Sequence, residues 1–314
     1  MIPDVIVITG PTATGKTELG IRLARKLNGE VVSADSMQVY RYMDIGTAKP
    51  TKEEMGGIAH HMIDVADPWE SYSAARYVSE ATHCVDDIIS RSRIPILVGG
   101  TGLYIDSLIL GRNFAESGKR SDLRIELSQR YDRLGGESML GELAEVDTES
   151  ASRLHPNDKK RVVRALEVYK LTGLTISQHN KRTREMPPRY KALKIALGFE
   201  DRADLYSRVD TRVDKMMEAG LENEVRSLIE HDIGGECTSM QAIGYKEMIL
   251  ALSGKMDMGE AVEMIKMESR RYAKRQMSWL RRDKEVKWIL WGKFPDFEVS
   301  ERISTEFLDN LRYY

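Results

Sequence analysis

The segment Gly10-Pro11-Thr12-Ala13-Thr14-Gly15-Lys16-Thr17 constrains this chain more than any other stretch. It follows a β-branched run, Val5–Thr9, and opens a helix-patterned stretch, Thr17–Leu27. A glycine-bounded turn between strand and helix that ends in Gly-Lys-Thr is a phosphate cradle. The glycines let the backbone wrap closely, so that successive N–H groups point at phosphate oxygens. The helix that starts there adds a positive dipole end. Lys16 contributes a compact charge, and Thr17 carries a hydroxyl suited to a phosphate-bound Mg²⁺. The expected ligand is a di- or triphosphate group.

The surrounding pattern extends this unit into a fold. Short β-branched runs at Val5–Thr9, Val31–Ser33 and Ile96–Val98 alternate with helical patterns at Thr17–Leu27, Ser73–Ser90 and Leu103–Leu110. Strands alternating with helices predict a parallel sheet covered on both faces. From about Ser121 the pattern is helical, broken at Gly135–Gly136 and Gly173, and it ends at Pro187–Pro188. Leu193–Phe199 reads as a strand that rejoins the sheet. Helices follow from Asp201 to about Arg282, and Val286–Trp291 is a last strand. The expected fold is thus α/β, a P-loop NTPase-like parallel sheet flanked by helices. Residues 1–120 and 190–314 would form this core, interrupted by an all-helical insertion over 121–189.

Bulk properties narrow the setting. The longest apolar runs, such as Val5–Ile8, are far too short to span a bilayer. The N-terminus enters a strand without a basic region or cleavage site, so export is not expected. Cys84 and Cys237 have no metal-ligand spacing and read as reduced thiols. The chain is expected to be cytoplasmic and a monomer, with no membrane partner.

Net charge is −2, so any polyanion site must be local. Residues 158–191 hold ten Lys/Arg against three Asp/Glu, and residues 266–287 hold nine against three. On a helix over Glu260–Arg281, Lys266, Arg270, Lys274 and Arg281 share a sector of about 80°. Ile265, Tyr272, Trp279 and Leu280 lie broadly opposite. Lys160, Arg161 and Arg164 cluster on another amphipathic helix, with Val162, Leu166 and Tyr169 turned away. Such rows suit the phosphates of a folded RNA, or they are solvated helix faces.

Asp35 and Thr101 follow the second and third strand runs, in Ser33-Ala34-Asp35-Ser36 and Gly99-Gly100-Thr101-Gly102. The carboxyl ends of neighbouring strands open onto one crevice, so both should stand beside the phosphate loop. Asp35 is either a proton acceptor for an attacking nucleophile or a turn-stabilising residue. Thr101 is either a second hydrogen-bonding group or a helix cap. The third strand run ends without a carboxylate, which weakens a γ-phosphate-transfer reading. His60-His61 has no nearby third ligand and reads as a packing or turn pair.

In order along nearly the whole chain, these segments resemble the tRNA dimethylallyltransferase family, in its bacterial form. The series comprises Gly10–Thr17, Ser33–Ser36 with Gln38-Val39-Tyr40, Gly46–Pro50, His60–Asp64, Gly99–Tyr104, and His155–Asp158 leading into Arg161–Glu167. Gln241–Lys246 and Tyr272–Trp279 complete it. The resemblance implies transfer of a dimethylallyl group from dimethylallyl diphosphate to N6 of the adenosine 3′ of a tRNA anticodon, with Mg²⁺ as cofactor. The tRNAs would be those reading codons that begin with U. It implies Asp35 as general base, with Thr101 and Lys16 also catalytic. Gly10, Pro11, Thr12, Ala13, Thr14, Gly15, Lys16 and Thr17 would hold the donor diphosphate, with Arg212 a further candidate. For tRNA it implies Asp35, Ser36, Met37, Gln38 and Thr101, then Arg124 and Lys160, Arg161, Val162, Val163, Arg164. It adds Met240, Gln241, Ala242, Ile243, Gly244 and Tyr245. The last segment is Lys274, Arg275, Gln276, Met277, Ser278, Trp279, Leu280 and Arg281. Thr14 stands where the family favours Ser, and Ser278 and Leu280 where Thr and Phe are commoner. The alternative is a P-loop small-molecule kinase with Asp35 orienting an acceptor hydroxyl.

Overall fold

The computed structural model describes residues 3–112 and 122–312. The chain divides into two compact units, Met1–Ile109 with Tyr190–Tyr314, and Leu110–Arg189. The expected helical start at Ser121 lies outside the described residues.

The first unit is built on six parallel strands, β1 (Val5–Thr9), β2 (Gly29–Ser33), β3 (His60–His61), β4 (Ile94–Val98), β5 (Ala192–Phe199) and β6 (Lys287–Trp291). Their spatial order is β3-β2-β4-β1-β5-β6. The early helices are α1 (Lys16–Leu27), α2 (Lys52–Met55), α3 (Ala74–Ser90) and α4 (Gly102–Ile109). The second unit is helical, with α5 (Asp122–Leu134), α6 (Gly136–Val146), α7 (Thr148–Ala151), α8 (Lys159–Thr172) and α9 (Ile176–Glu185). The first unit resumes with β5 and then α10 (Arg202–Glu218), α11 (Leu221–Glu230), α12 (Tyr245–Leu252), α13 (Met258–Leu280) and α14 (Phe297–Arg312).

The central strand explains the two-faced core. Along β1 side chains alternate sides, so Val5 and Val7 join one hydrophobic cluster and Ile6 and Ile8 the other. Ile6 and Ile8 pack with Leu19, Leu23 and Ala24 of α1 and Leu205 and Val209 of α10. Val5 and Val7 share a cluster with Tyr77, Val85 and Ile88 of α3 and Ile105 and Leu108 of α4. Every residue of β1 is buried, as a strand covered by helices on both faces requires. β5 pairs with β1 from Val5↔Ala192 to Thr9↔Ala196, so the returning strand does rejoin the parallel sheet.

Three features differ from the sequence expectation. β2 starts at Gly29 rather than Val31, because Gly29 and Glu30 pair with Ile94 and Pro95 of β4. His60 and His61 form the edge strand β3 against Val31 and Val32. α14 was not expected at all, and it packs Leu308 into the cluster that covers α1. No helix among the described residues is long and apolar enough to cross a membrane.

The helical unit has its own core of Leu127, Met139, Leu143, Val162, Val163, Ala165 and Leu166. Glu167 of α8 is fully buried there and receives Arg124 at 2.7 Å and Arg164 at 2.7 Å. A buried carboxylate is tolerable only when paired in this way.

Candidate active site

The sheet order brings the C-terminal ends of β1, β2 and β4 side by side, and each end carries one part of the site. The contact between the last two is close: a Cβ at Gly99 would lie 2.3 Å from the Ala34 carbonyl oxygen. Thr101 N–H donates to that oxygen at 3.1 Å, so the turn after β4 is fastened to the residue before Asp35.

The phosphate loop has the backbone that its glycines predict. Gly10 has φ 143°, and a Cβ there would meet the Leu197 carbonyl oxygen at 2.4 Å. Gly15 has φ 84° and lies under the Phe297 ring. Within the loop, the Thr14 hydroxyl donates to the Pro11 carbonyl at 2.8 Å and Lys16 Nζ to the same oxygen at 2.7 Å. Distant residues hold it from outside. Trp291 Nε1 donates to Thr14 O at 3.0 Å, Arg208 Nε to Ala13 O at 3.2 Å, and Thr12 N–H is taken by Gln276 Oε1 at 2.9 Å.

Two desolvated cations stand near each other beside the loop. Burial, and then the neighbouring Arg212 guanidinium, push the Lys16 ammonium down to about 7, with Asp35 opposing. Burial also draws Arg212 below its ordinary value, again opposed by Asp35. Two cations near one another in a desolvated setting are mutually unfavourable until a polyanion joins them.

Asp35 stabilises its turn, one of the two readings offered by the sequence, and it also faces a cavity. Its Oδ1 accepts from Met37 N at 2.8 Å and Gln38 N at 3.4 Å, which makes the turn after β2. The residue also lines a cavity of 340 Å³ together with Thr12, Arg212, Tyr272, Lys246 and Arg275. The Thr101 hydroxyl accepts from Ser36 N at 3.1 Å and so stands next to Asp35. Gln38 is occupied with loop structure, accepting from Ser33 Oγ at 2.9 Å and donating to Ala48 O at 3.2 Å. Tyr272, opposite the cation row on the helical wheel, also reaches the cavity. Its hydroxyl interacts with Thr101 and Gln276. Burial and the Asp35 charge push that phenol up to about 12.

The expected cation row on α13 is split. Lys266 pairs with Asp214 at 2.8 Å and Arg270 with Asp210 at 2.5 Å. These carboxylates sit four apart on α10, matching two cations four apart on α13, so this half of the row ties two helices together. Lys274, Arg275 and Arg281 remain exposed, and Lys274 and Arg275 border a further cavity with Ser278 and Trp279. Met277 is half-buried and Leu280 is buried with Ala196 and Val286. Trp279 Nε1 donates to Asp106 at 3.1 Å, and its ring covers Gly102.

In the segment 240–245, Gln241, Ala242 and Ile243 line the cavity, whereas Met240 and Tyr245 are buried. Tyr245 donates to Glu224 at 2.6 Å. In the helical unit, Lys160 and Arg161 are exposed. Val162 and Val163 point into the core, and Arg124 and Arg164 hold Glu167, which narrows the implied RNA-facing part of that segment. The histidine pair is structural: His60 Nδ1 meets Ile58 O at 2.9 Å and His61 Nε2 meets Glu30 at 2.7 Å. Hydrogen bonds from Arg91, with lesser ones from His61 and Arg93, lower the Glu30 carboxyl to about 2. Cys84 and Cys237 are half-buried and unpaired with each other.

Comparison with known proteins agrees with this geometry. Residues 38–283 match the family model described as IPP transferase. A tRNA dimethylallyltransferase of Acetivibrio thermocellus is 45% identical over 311 residues, covering 99% of this chain and 97% of that protein. The crystal structure of a full-length tRNA isopentenylpyrophosphate transferase from Bacillus halodurans superposes with TM-score 0.72 at 40% identity, covering 99% of both chains. A eukaryotic dimethylallyltransferase, crystallised acting on tRNA, superposes with TM-score 0.82 at 33% identity, covering 98% of this chain and 79% of that one.

Proposed function

The chain belongs to the IPP transferase family, the tRNA dimethylallyltransferases, and on that premise we propose that it transfers a dimethylallyl group from dimethylallyl diphosphate to N6 of the adenosine 3′-adjacent to the anticodon. The acceptors are tRNAs that read codons beginning with U, and the product is N6-(dimethylallyl)adenosine. The observation that carries this reading is the shared cavity: the phosphate loop residue Thr12, Arg212 and Asp35 all line it, and Lys16 lies within electrostatic reach of the last two. Its 340 Å³ falls in the size range of small-ligand sites.

The chemistry follows from where charge develops. The C1–O bond to the diphosphate breaks as the bond from N6 to C1 forms, so negative charge accumulates on the leaving diphosphate. Lys16 and Arg212, close together beside Asp35, support a role in meeting that charge, since charges fixed in advance are the most effective form of electrostatic catalysis. An adenine amine is a weak nucleophile because its lone pair is delocalised, and it must lose a proton as the C–N bond forms. Asp35 accepts that proton, with the Thr101 hydroxyl beside it to orient the base. A base stacked in an anticodon loop must first be flipped into the cavity. The oxygen donor set of the Thr17 hydroxyl with diphosphate oxygens fits Mg²⁺, a hard cation that keeps few protein ligands. When bound, the ion would neutralise part of the diphosphate charge. One chain carries every group this requires, and the cytoplasm is where its tRNA substrate is met.

The exposed Lys274 and Arg275 on α13, with Arg281 at its C-terminal cap, are the cations assigned to the tRNA backbone. Lys274→Ala is expected to weaken tRNA binding more at low salt than at high salt, and to reduce the slope of log affinity against log salt by about 1. Filter binding across a salt series measures this. An equal loss at every salt concentration would point to damage in the helix instead.

The kinase alternative is disfavoured, since the relatives compared transfer prenyl groups to tRNA and β4 runs into Gly99-Gly100-Thr101 without a carboxylate. Radiolabelled dimethylallyl diphosphate, Mg²⁺ and unmodified tRNA test the proposal. Label recovered in N6-prenyladenosine, with none on free AMP, supports it. Absence of transfer alongside RNA-independent ATP turnover would return the kinase reading.

A further inference from the structure

Helix α13 presents two different surfaces in consecutive residues. Lys274 and Arg275 are exposed, whereas Gln276 is 6% exposed and turned inward. Its carboxamide is used at both ends. Oε1 accepts Thr12 N–H at 2.9 Å, and Nε2 donates to Gly100 O at 3.0 Å. Thr12 belongs to the diphosphate loop. Gly100 directly precedes Thr101, whose hydroxyl holds Ser36 N–H next to Asp35. One buried side chain therefore bridges the loop that grips the leaving group and the turn that carries the acceptor-side groups. The partner backbone is shaped for it, because a Cβ at Gly100 would lie 2.1 Å from Gln276 Nε2. A carboxamide suits this position because one planar group supplies both a donor and an acceptor. Leaving the buried Gly100 carbonyl unpaired is costly.

We propose that Gln276 is a positioning residue that fixes the register between the donor loop and the Thr101–Asp35 side of the cavity, and is not a contact to tRNA. This rests on the prenyl-transfer reading above. In that reaction the allylic carbon and the adenine nitrogen must be held about 3–3.5 Å apart and aligned, and small misplacements cost about 10²-fold in rate. The two reacting groups are held by different loops. Gln276 joins the donor loop directly to the turn that carries Thr101.

Transfer of labelled prenyl group by the wild-type protein decides the underlying reading independently. With wild type active, Gln276→Ala and Gln276→Met are assayed together. Methionine keeps an unbranched side chain that fills the same space without the amide. Both are expected to lower kcat by about 10²-fold, with tRNA affinity and its salt dependence unchanged. Gly100→Ala should do the same, because its methyl group evicts the carboxamide. The double variant Gly100→Ala/Gln276→Ala should then be no worse than either single change, the non-additivity expected of two residues in contact. Thermal unfolding of each variant checks that the fold persists. Folded Gln276→Met with wild-type kcat would overturn the proposal, as would a salt-dependent loss of tRNA affinity, or single losses that multiply in the double variant.

Discussion

Replacing Asp35 with asparagine is expected to lower turnover by about 10²- to 10⁴-fold, the usual contribution of a positioned general base, while donor and tRNA affinities stay close to wild type. Asparagine is the informative substitution because Asp35 makes a turn contact besides the proton transfer proposed for it. Its Oδ1 accepts from Met37 N and Gln38 N and thereby shapes the turn after β2. An amide oxygen can still accept those bonds, but an amide cannot take the proton from adenine N6. Asp35→Ala removes both functions at once. It should lower turnover by at least about 10²-fold, yet some of that loss could come from a turn released beside the cavity. Single-turnover prenyl transfer with saturating tRNA separates the two effects. If Asp35→Asn transfers the prenyl group as fast as wild type while Asp35→Ala does not, Asp35 shapes the turn and the proton goes elsewhere.

The turn contact of Asp35 and its place beside the cavity are both legible in the sequence. The phosphate loop is contiguous, so its spacing alone reveals a cradle. Asp35 and Thr101 were found because strand ends in a parallel sheet converge, a rule of topology that needs no coordinates. The contacts that hold the loop were hidden for the opposite reason. Gln276 meets Thr12 across 264 residues and Trp291 meets Thr14 across 277, and nothing local marks either pair. β3 was missed because two residues are too few to show an alternation. The α13 row was read correctly as an angular sector, but a helical wheel cannot show that Asp210 and Asp214 of α10 lie against half of it. Tyr272 lies opposite the cation row on the helical wheel, and no local pattern shows that it lines the cavity and that its hydroxyl meets Thr101 and Gln276. The pairing of Arg124 and Arg164 with Glu167 is equally hidden, because Glu167 reads in sequence as one more helical glutamate.

Donor binding should become weaker as pH rises above neutrality, and Lys16 should be the cause. Burial and Arg212 hold this ammonium at about 7, well below the usual lysine value of 10.5. Its effect on folding has a definite sign. Between those two values the unfolded chain keeps a proton that the folded chain has released, so from this group alone stability rises with pH across that window. The full penalty is present below it. Binding works in the opposite direction, because a diphosphate beside Lys16 favours its charged form and raises its pKa. Above pH 7 the donor must therefore bring a proton onto Lys16, and affinity should fall by up to about tenfold per pH unit until the pKa of the complex is reached. Phosphate esters complete their own ionisation near pH 6, so measurements from about pH 7.5 upward isolate the lysine. Calorimetric titration at about pH 8.5, in buffers of different ionisation enthalpy, should report uptake of close to one proton per donor bound. Lys16→Met, permanently uncharged, should bind the donor more weakly at pH 7 and lose the slope. Proton uptake that persists in Lys16→Met would assign the linkage to another group in the cavity.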